Sequence, residues 1–227
     1  MKQSPQIQPV KTLPPDYHLH GTLDLSKNKA ALIGLNIAAL IPLVLFGWLA
    51  LRLLPLLRPA DASQVLRFGV VGMLQLLAIL LGLYVLMIIL HEAIHGLFFW
   101  IFTRERPRYG FKGWYVYAAA PDWYLPYRQH IVVGLAPLGM ITLVGFALVP
   151  VVPLPLVPML LYIVVMNAAG AVGDMAMVAW LAVQPRGTLV QDTGDASLVI
   201  DLIRAMQAGE DLTVDDGTRI FGTRGAD

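Results

Sequence analysis

The sequence has no cysteine and few charged residues. Only 14% of its 227 residues are charged, and 57% are hydrophobic, whereas about 25% are charged in a typical globular domain. Without cysteine, disulfides and thiolate metal sites are excluded, so a metal ligand must be an imidazole or a carboxylate. A net charge of +1 and the lack of a basic cluster argue against a nucleic-acid partner. With a mean hydropathy of +0.68, the composition predicts a protein of the lipid bilayer.

Long apolar runs account for this hydropathy. A helix needs about 20 apolar residues to cross a bilayer; two runs have that length, and a third is long enough for two spans separated by a proline-rich turn. The pattern predicts an all-α integral membrane protein with about four transmembrane helices, at residues 30–57, 68–103, 131–150 and 156–183. Residues 1–29 are then a leader that stays in the mature protein, and residues 184–227 a small tail.

Two short segments outside the spans carry patterns of their own. Residues 113–118 have the composition of a strand, and a Pro121-Asp122 turn follows them, which predicts a β-hairpin between spans two and three. In the acidic tail, four apolar residues have the spacing of one amphipathic helix: Val199, Leu202, Ile203 and Met206.

Basic residues predict the orientation. The leader carries four lysines, and the loop between spans two and three carries five basic residues. The loop between spans three and four has none. Because basic residues concentrate in cytoplasmic loops, we expect both termini in the cytoplasm, in a multi-pass protein of the plasma membrane.

The second span contains the pentapeptide His91-Glu92-Ala93-Ile94-His95. On a helix, residues four apart lie one above the other, so both imidazoles can reach a single Zn²⁺. The carboxylate of Glu92 can accept a proton from a metal-bound water, whose pKa falls toward ~7. The pattern therefore predicts a zinc site with Glu92 as the catalytic base.

Asp174 is the candidate for the third ligand that a catalytic zinc site needs. At 1.5 Å per residue, His95 lies about 12 Å from the cytoplasmic end of span two, and Asp174 about 15 Å from that of span four. Glu92 and Asp174 have no mid-span basic residue to pair with, whereas one Zn²⁺ would offset both charges. The alternative is a protonated Asp174 that is hydrogen-bonded to a neighbouring helix.

Further polar and small residues surround the candidate ligands. Asn167 lies on nearly the same helix face as Asp174, and it is interpreted either as a substrate-binding or outer metal-site residue or as an interhelical hydrogen-bonding group. Small residues let helices approach closely, so we expect Gly96, Gly170 and Gly173 to serve helix packing. The remaining histidines are expected to be ordinary polar residues: His18, His20 and His130.

Over residues 68–183 these features resemble the site-2 protease class of intramembrane zinc metalloproteases, and more closely the related putative zincin-peptidase membrane proteins. The resemblance implies that His91, His95 and Asp174 bind zinc and that Glu92 activates water. The chain departs from site-2 proteases in one respect, because Asp174 stands between Gly173 and Met175 and the Leu-Asp-Gly context is absent. The substrate type therefore stays open.

The expected function is that of a zinc-dependent metalloprotease that hydrolyses peptide bonds of membrane or membrane-proximal substrates. One alternative is a metal-binding membrane scaffold without turnover, which would keep the same ligands. An ion transporter is a further alternative, but it needs polar residues at successive depths, and the spans offer few: Asn36, Gln75 and Thr142. The sequence does not predict an oligomeric state.

Overall fold

The computed structural model describes residues 8–13, 17–23, 29–57, 70–111, 116–184, 187–194, 197–202, 211–215 and 219–223. These residues fall into two compact units. The helical unit comprises Ala30–His95 and Gly134–Ala176, and the sheet unit comprises Met1–Lys29, Gly96–Val133 and Met177–Asp227.

Six α-helices make up most of the described chain: α1 (Lys29–Ala38), α2 (Leu40–Leu57), α3 (Val70–Thr103), α4 (Tyr127–Leu148), α5 (Val157–Gly170) and α6 (Val172–Ala182). Three stretches are long and apolar enough to cross a membrane, and α5 with α6 adds a fourth if the bent pair is one span. The predicted class, a mostly helical protein with about four apolar spans, is confirmed. The division into leader, membrane domain and tail stays a prediction.

The last apolar run is broken, whereas the sequence predicted one continuous helix over residues 156–183. The helix axis bends by 43° between α5 and α6. Ala171 caps α5 with its N–H donating to the carbonyl of Asn167. A helix that restarts in mid-run has a new N-terminal turn, which carries a partial positive charge. Asp174 lies in that first turn of α6.

The helical unit is held by close contacts between its helices. Helix α2 packs against α5, and α4 approaches α5 at Gly145, where the side chain of Val164 fills the space that a β-carbon would need. Val164 is fully buried.

The strands of the sheet unit are β1 (Tyr17–Leu23), β2 (Arg108–Phe111), β3 (Val116–Ala119), β4 (Tyr124–Pro126), β5 (Leu189–Asp192), β6 (Ser197–Leu202), β7 (Asp211–Asp215) and β8 (Arg219–Thr223). β1, β6, β5 and β4 form an antiparallel sheet in that order, and β7 pairs with β8. β2 and β3 form the predicted hairpin, with the turn at Pro121 and Asp122 beyond it. Residues 113–115 of the predicted strand lie outside the described residues.

The helix predicted in the tail is wrong. Val199 and Leu202 lie in strand β6, which pairs with β5 on one side and with β1 on the other. Ile203 and Met206 lie outside the described residues. Apolar residues three apart in a short run do not separate a helix from a strand, and here the pairing with distant strands decides.

The four-stranded sheet joins three segments that are far apart in the sequence. β1 precedes the first apolar run, β4 lies between α3 and α4, and β5 and β6 follow α6. The pairing of β4 with β5 brings the residues that directly precede α4 next to residues that follow α6.

The core of the sheet unit lies where the sheet meets the helix ends. Phe99, Ala120, Leu125 and Val133 form a buried apolar cluster. The pairing of Lys11 with Glu105 ties the segment before β1 to the end of α3. Hydrogen bonds from Lys11 and from the indole of Trp123 lower the pKa of the exposed Glu105 carboxyl.

Candidate metal centre

Helix α3 presents two imidazoles on one face. His91 and His95 are one helical turn apart, their ring centroids are 4.7 Å apart, and the rings stand nearly perpendicular to each other. Their Nε2 atoms are 3.1 Å apart. The residues are only 9% and 8% exposed, so both rings are held in a mostly apolar environment with one nitrogen of each directed at the same point.

Asp174 of helix α6 completes the group from a second helix. One carboxylate oxygen lies 3.1 Å from His91 Nε2, and the other lies 3.5 Å from His95 Nε2. One ligand atom from each of the three residues lies within 4.8 Å of the others. The approach of Asp174 to the histidines agrees with the similar depths that the span lengths predicted.

The break in the last apolar run favours an ionised Asp174. A carboxylate in the first turn of a helix interacts favourably with the partial positive charge of that helix end. Two imidazoles face the same carboxylate. No mid-helix lysine or arginine of α3, α5 or α6 is available as a partner, so the charge must be offset by the histidines or by a cation bound with them.

The geometry of the three donors fits a metal ion. In a tetrahedral site with bonds of about 2.1 Å, neighbouring ligand atoms are about 3.4 Å apart. The distances of 3.1 Å and 3.5 Å between the donors bracket this value. The side chain of Asp174 is 21% exposed. His91, His95 and Asp174 can therefore hold a metal ion.

Glu92 and Asn167 lie close in sequence to the three donors, on α3 and α5. Glu92 directly follows the first histidine on α3 and is partly buried, and it is not a member of the three-donor group. Asn167 is fully buried on α5 and hydrogen-bonds to His91 Nδ1 at 2.9 Å and to the backbone carbonyl of Pro137 at 3.2 Å. The contribution of Pro137 had no signal in the sequence, because a backbone carbonyl carries no residue type.

The packing role of Gly170 and Gly173 stays a prediction, because the described residues show no close contact at either glycine. Apart from their own helix, no described atom lies within 4 Å of the place where a β-carbon of Gly170 or Gly173 would be. These glycines flank the bend at Ala171. Gly96 is closely contacted, but by the phenol group of Tyr109, which belongs to strand β2 and not to another helix. Among the glycines near the helices, Gly145 makes the close helix contact.

The other histidines lie outside the three-donor group. His130 is fully buried at the start of α4, where its Nε2 atom is 3.6 Å from a carboxylate oxygen of Asp192. Its ring centroid is 5.8 Å from that of Phe99. His18 and His20 lie in strand β1. None of the three is in the metal-binding group found among the described residues.

Comparison with known proteins finds one family model that is similar to part of the chain. A family model described as "Putative zincin peptidase" matches residues 84–189. No curated protein and no solved structure matches the chain. The matched segment includes all three donors together with Glu92 and Asn167, and the closer of the two predicted resemblances is thereby confirmed, whereas the relationship to site-2 proteases stays a prediction. Over residues 84–189 the chain is therefore similar to the putative zincin peptidase family.

Proposed function

We propose that the protein is a zinc-dependent metallopeptidase that hydrolyses peptide bonds of membrane or membrane-proximal substrates. The observation that carries the proposal is the convergence of two imidazoles and one carboxylate from helices α3 and α6. The family match supports a metallopeptidase. The depth of the group within the apolar helices supports a substrate that is itself in or near the bilayer.

The donor set favours zinc over other metals. Two neutral imidazoles and one carboxylate, with an open fourth position, are the ligands of many catalytic zinc sites. A set of oxygen ligands, which Mg²⁺ and Ca²⁺ require, is not present in this group. When bound, zinc supplies a Lewis acid that lowers the pKa of a coordinated water toward ~7 and polarises the scissile carbonyl.

Glu92 is the proposed proton carrier. It directly follows His91 on α3, so it is the acidic residue nearest in sequence to the two histidine donors. In hydrolysis, the oxygen of a water bonds to the scissile carbonyl carbon, and Glu92 takes a proton from that water. The carbon–nitrogen bond then breaks, and the proton passes from Glu92 to the leaving amine. General acid–base catalysis of this kind contributes typically ~10²–10⁴-fold to a rate.

The position of the donors along the helices limits how a substrate can react. His95 lies eight residues before the end of α3 at Thr103, which corresponds to about 12 Å of helix. A peptide bond within a membrane helix is hydrogen-bonded and shielded, so a substrate segment must unwind before water can attack it. The basic leader and loop support the proposal that both termini are cytoplasmic and that the protein is inserted in the plasma membrane.

The transporter alternative gains no support from the polar residues of the spans. The amide of Asn36 donates to the carbonyl of Leu32, one turn earlier on its own helix, and Gln75 is exposed on α3. The scaffold alternative keeps the same donors and differs only in turnover, so it is separated by experiment.

The test compares zinc content and cleavage in wild type and Glu92→Gln. The full chain is reconstituted in lipid nanodiscs and offered two probes: a labelled single-span apolar peptide in the same bilayer, and soluble casein. Glu92→Gln should retain about one zinc per chain and should lower cleavage by ~10²–10⁴-fold, because it removes only the proton carrier.

Glu105→Gln is the matched control, because Glu105 is exposed beyond the end of α3, and this variant should cleave like wild type. Unaltered cleavage in Glu92→Gln would remove Glu92 from the mechanism. Wild-type protein that holds zinc but cleaves neither probe would favour the scaffold. Cleavage of casein alone would keep the peptidase and contradict the membrane substrate.

A further inference from the structure

Both polar atoms of the Asn167 amide form hydrogen bonds. Its Nδ2 group donates to the backbone carbonyl of Pro137 at 3.2 Å, and its Oδ1 atom lies 2.9 Å from His91 Nδ1. The residue is fully buried. An amide that is buried and bonded at both ends is a poor group for binding a substrate backbone, because a substrate would have to displace one of these bonds.

The carbonyl of Pro137 sets the direction of this hydrogen-bond chain. A backbone carbonyl can only accept, so the Asn167 group that faces it must be the NH₂ group. The amide oxygen then faces His91, and because that oxygen also only accepts, Nδ1 of His91 must carry the proton.

The tautomer of His91 follows from this direction. A neutral imidazole with its proton on Nδ1 has an unprotonated Nε2 with a free lone pair. Nε2 is the atom that faces His95 Nε2 and the carboxylate of Asp174. The chain of bonds thus holds the ring in the one neutral form that can donate a lone pair to a metal at the three-donor group.

We propose that Asn167 is a positioning residue that fixes His91 as the Nδ1–H tautomer and fixes the orientation of its ring, with the carbonyl of Pro137 as the anchor. Helix α4, which supplies no ligand, is then part of the metal centre through its backbone. The proposal rests on the proposed function in one respect, the binding of a metal by His91. It selects the outer metal-site role over substrate binding for Asn167.

Two readouts test the proposal on the full chain, and neither requires activity. The first is the zinc dissociation constant, measured by competition with a chelator. Asn167→Leu keeps the number and branching of the side-chain heavy atoms and removes both hydrogen bonds, so it should weaken zinc binding about 10–100-fold, as for other groups that orient a ligand. Asn36→Leu is the matched control, because the hydrogen bond of Asn36 among the described residues is to Leu32 of its own helix, and its zinc affinity should equal that of wild type.

The second readout is the ¹⁵N chemical shifts of the His91 ring in zinc-loaded wild-type protein, which need no variant to fold. They should report a protonated Nδ1 and a metal-bound Nε2. Zinc bound through Nδ1 with the proton on Nε2, or a zinc affinity in folded Asn167→Leu equal to that of wild type, would overturn the proposal. An unchanged zinc affinity with a raised KM would instead assign Asn167 to substrate binding.

Failure of the proposed function gives a different pattern. Wild-type protein that binds no zinc would contradict the metal centre, whatever the tautomer of His91. Zinc binding without cleavage would contradict the peptidase activity and leave the positioning role of Asn167 in place, provided that Asn167→Leu weakens zinc binding.

Discussion

Two pairs of a buried histidine with a partly buried aspartate, one in each unit, show what separates a metal site from a structural contact. In the helical unit, His91 faces Asp174 and a second imidazole joins them. In the sheet unit, His130 lies 3.6 Å from Asp192 and beside the ring of Phe99. The described residues provide no third donor there.

The pair in the sheet unit links two parts of that unit. His130 is fully buried and its aspartate accepts a hydrogen bond from the backbone N–H of Gly194, so the pair ties the start of α4 to the turn after β5. The two aspartate side chains are similarly exposed, at 21% for Asp174 and 17% for Asp192. The third donor therefore distinguishes the centre that could hold a metal ion.

The largest expected effect is a loss of bound zinc, and we expect it for the pair with Asp174 and not for the pair with Asp192. Asp174→Ala removes one of three donors and leaves two imidazoles, so we expect the bound zinc to be lost. Asp192→Ala is the same substitution at the other pair, and it should retain about one zinc per chain. Metal analysis of the purified proteins measures both values. Equal zinc content in the two variants would contradict the difference between the pairs.

The second expected effect is a loss of stability when the pair of His130 and Asp192 is removed. His130→Leu keeps an apolar side chain of similar size but removes the contact with Asp192, and we expect the free energy of unfolding to fall by about 1–3 kcal/mol. Denaturant unfolding in detergent micelles measures the change. Zinc content per folded chain should be unchanged, and a parallel loss of zinc would show that His130 also serves the metal centre.

The smallest expected effect is a difference in stability between substitutions at two glycines of the helical unit. Gly145→Ala places a methyl group against the buried Val164, and such overpacking costs typically about 1–3 kcal/mol. Gly170→Ala meets open space, so stability should be unchanged or rise by up to about 1 kcal/mol through helix propensity. Thermal unfolding of both variants provides the comparison. If Gly170→Ala lost as much stability as Gly145→Ala, this would support the predicted packing role of Gly170.

The sequence was most informative where one local rule sufficed. The spacing of His91 and His95 places both rings on one helix face, and counting residues from the helix ends placed Asp174 at a similar depth. These relations need only the rise and the repeat of a helix. The three residues are brought together in the structure as that reasoning predicted.

Features that depend on long-range pairing were not predicted. The sheet joins strand β1 with β6, whose residues are about 180 positions away in the chain, and no local pattern in the leader signalled this. The break at Ala171 was hidden because its neighbours are all small or apolar and no proline marks it. The anchoring carbonyl of Pro137 belongs to the backbone, so only its position in α4 reveals it.

The central claim is that His91, His95 and Asp174 hold one zinc ion. X-ray absorption at the zinc edge on the reconstituted full-length protein tests it most directly. We predict one zinc per chain, with two imidazole nitrogens at about 2.0–2.1 Å and oxygen ligands at about 2.0–2.2 Å. A zinc-free protein, or a zinc ion whose spectrum shows fewer than two imidazoles, would contradict it.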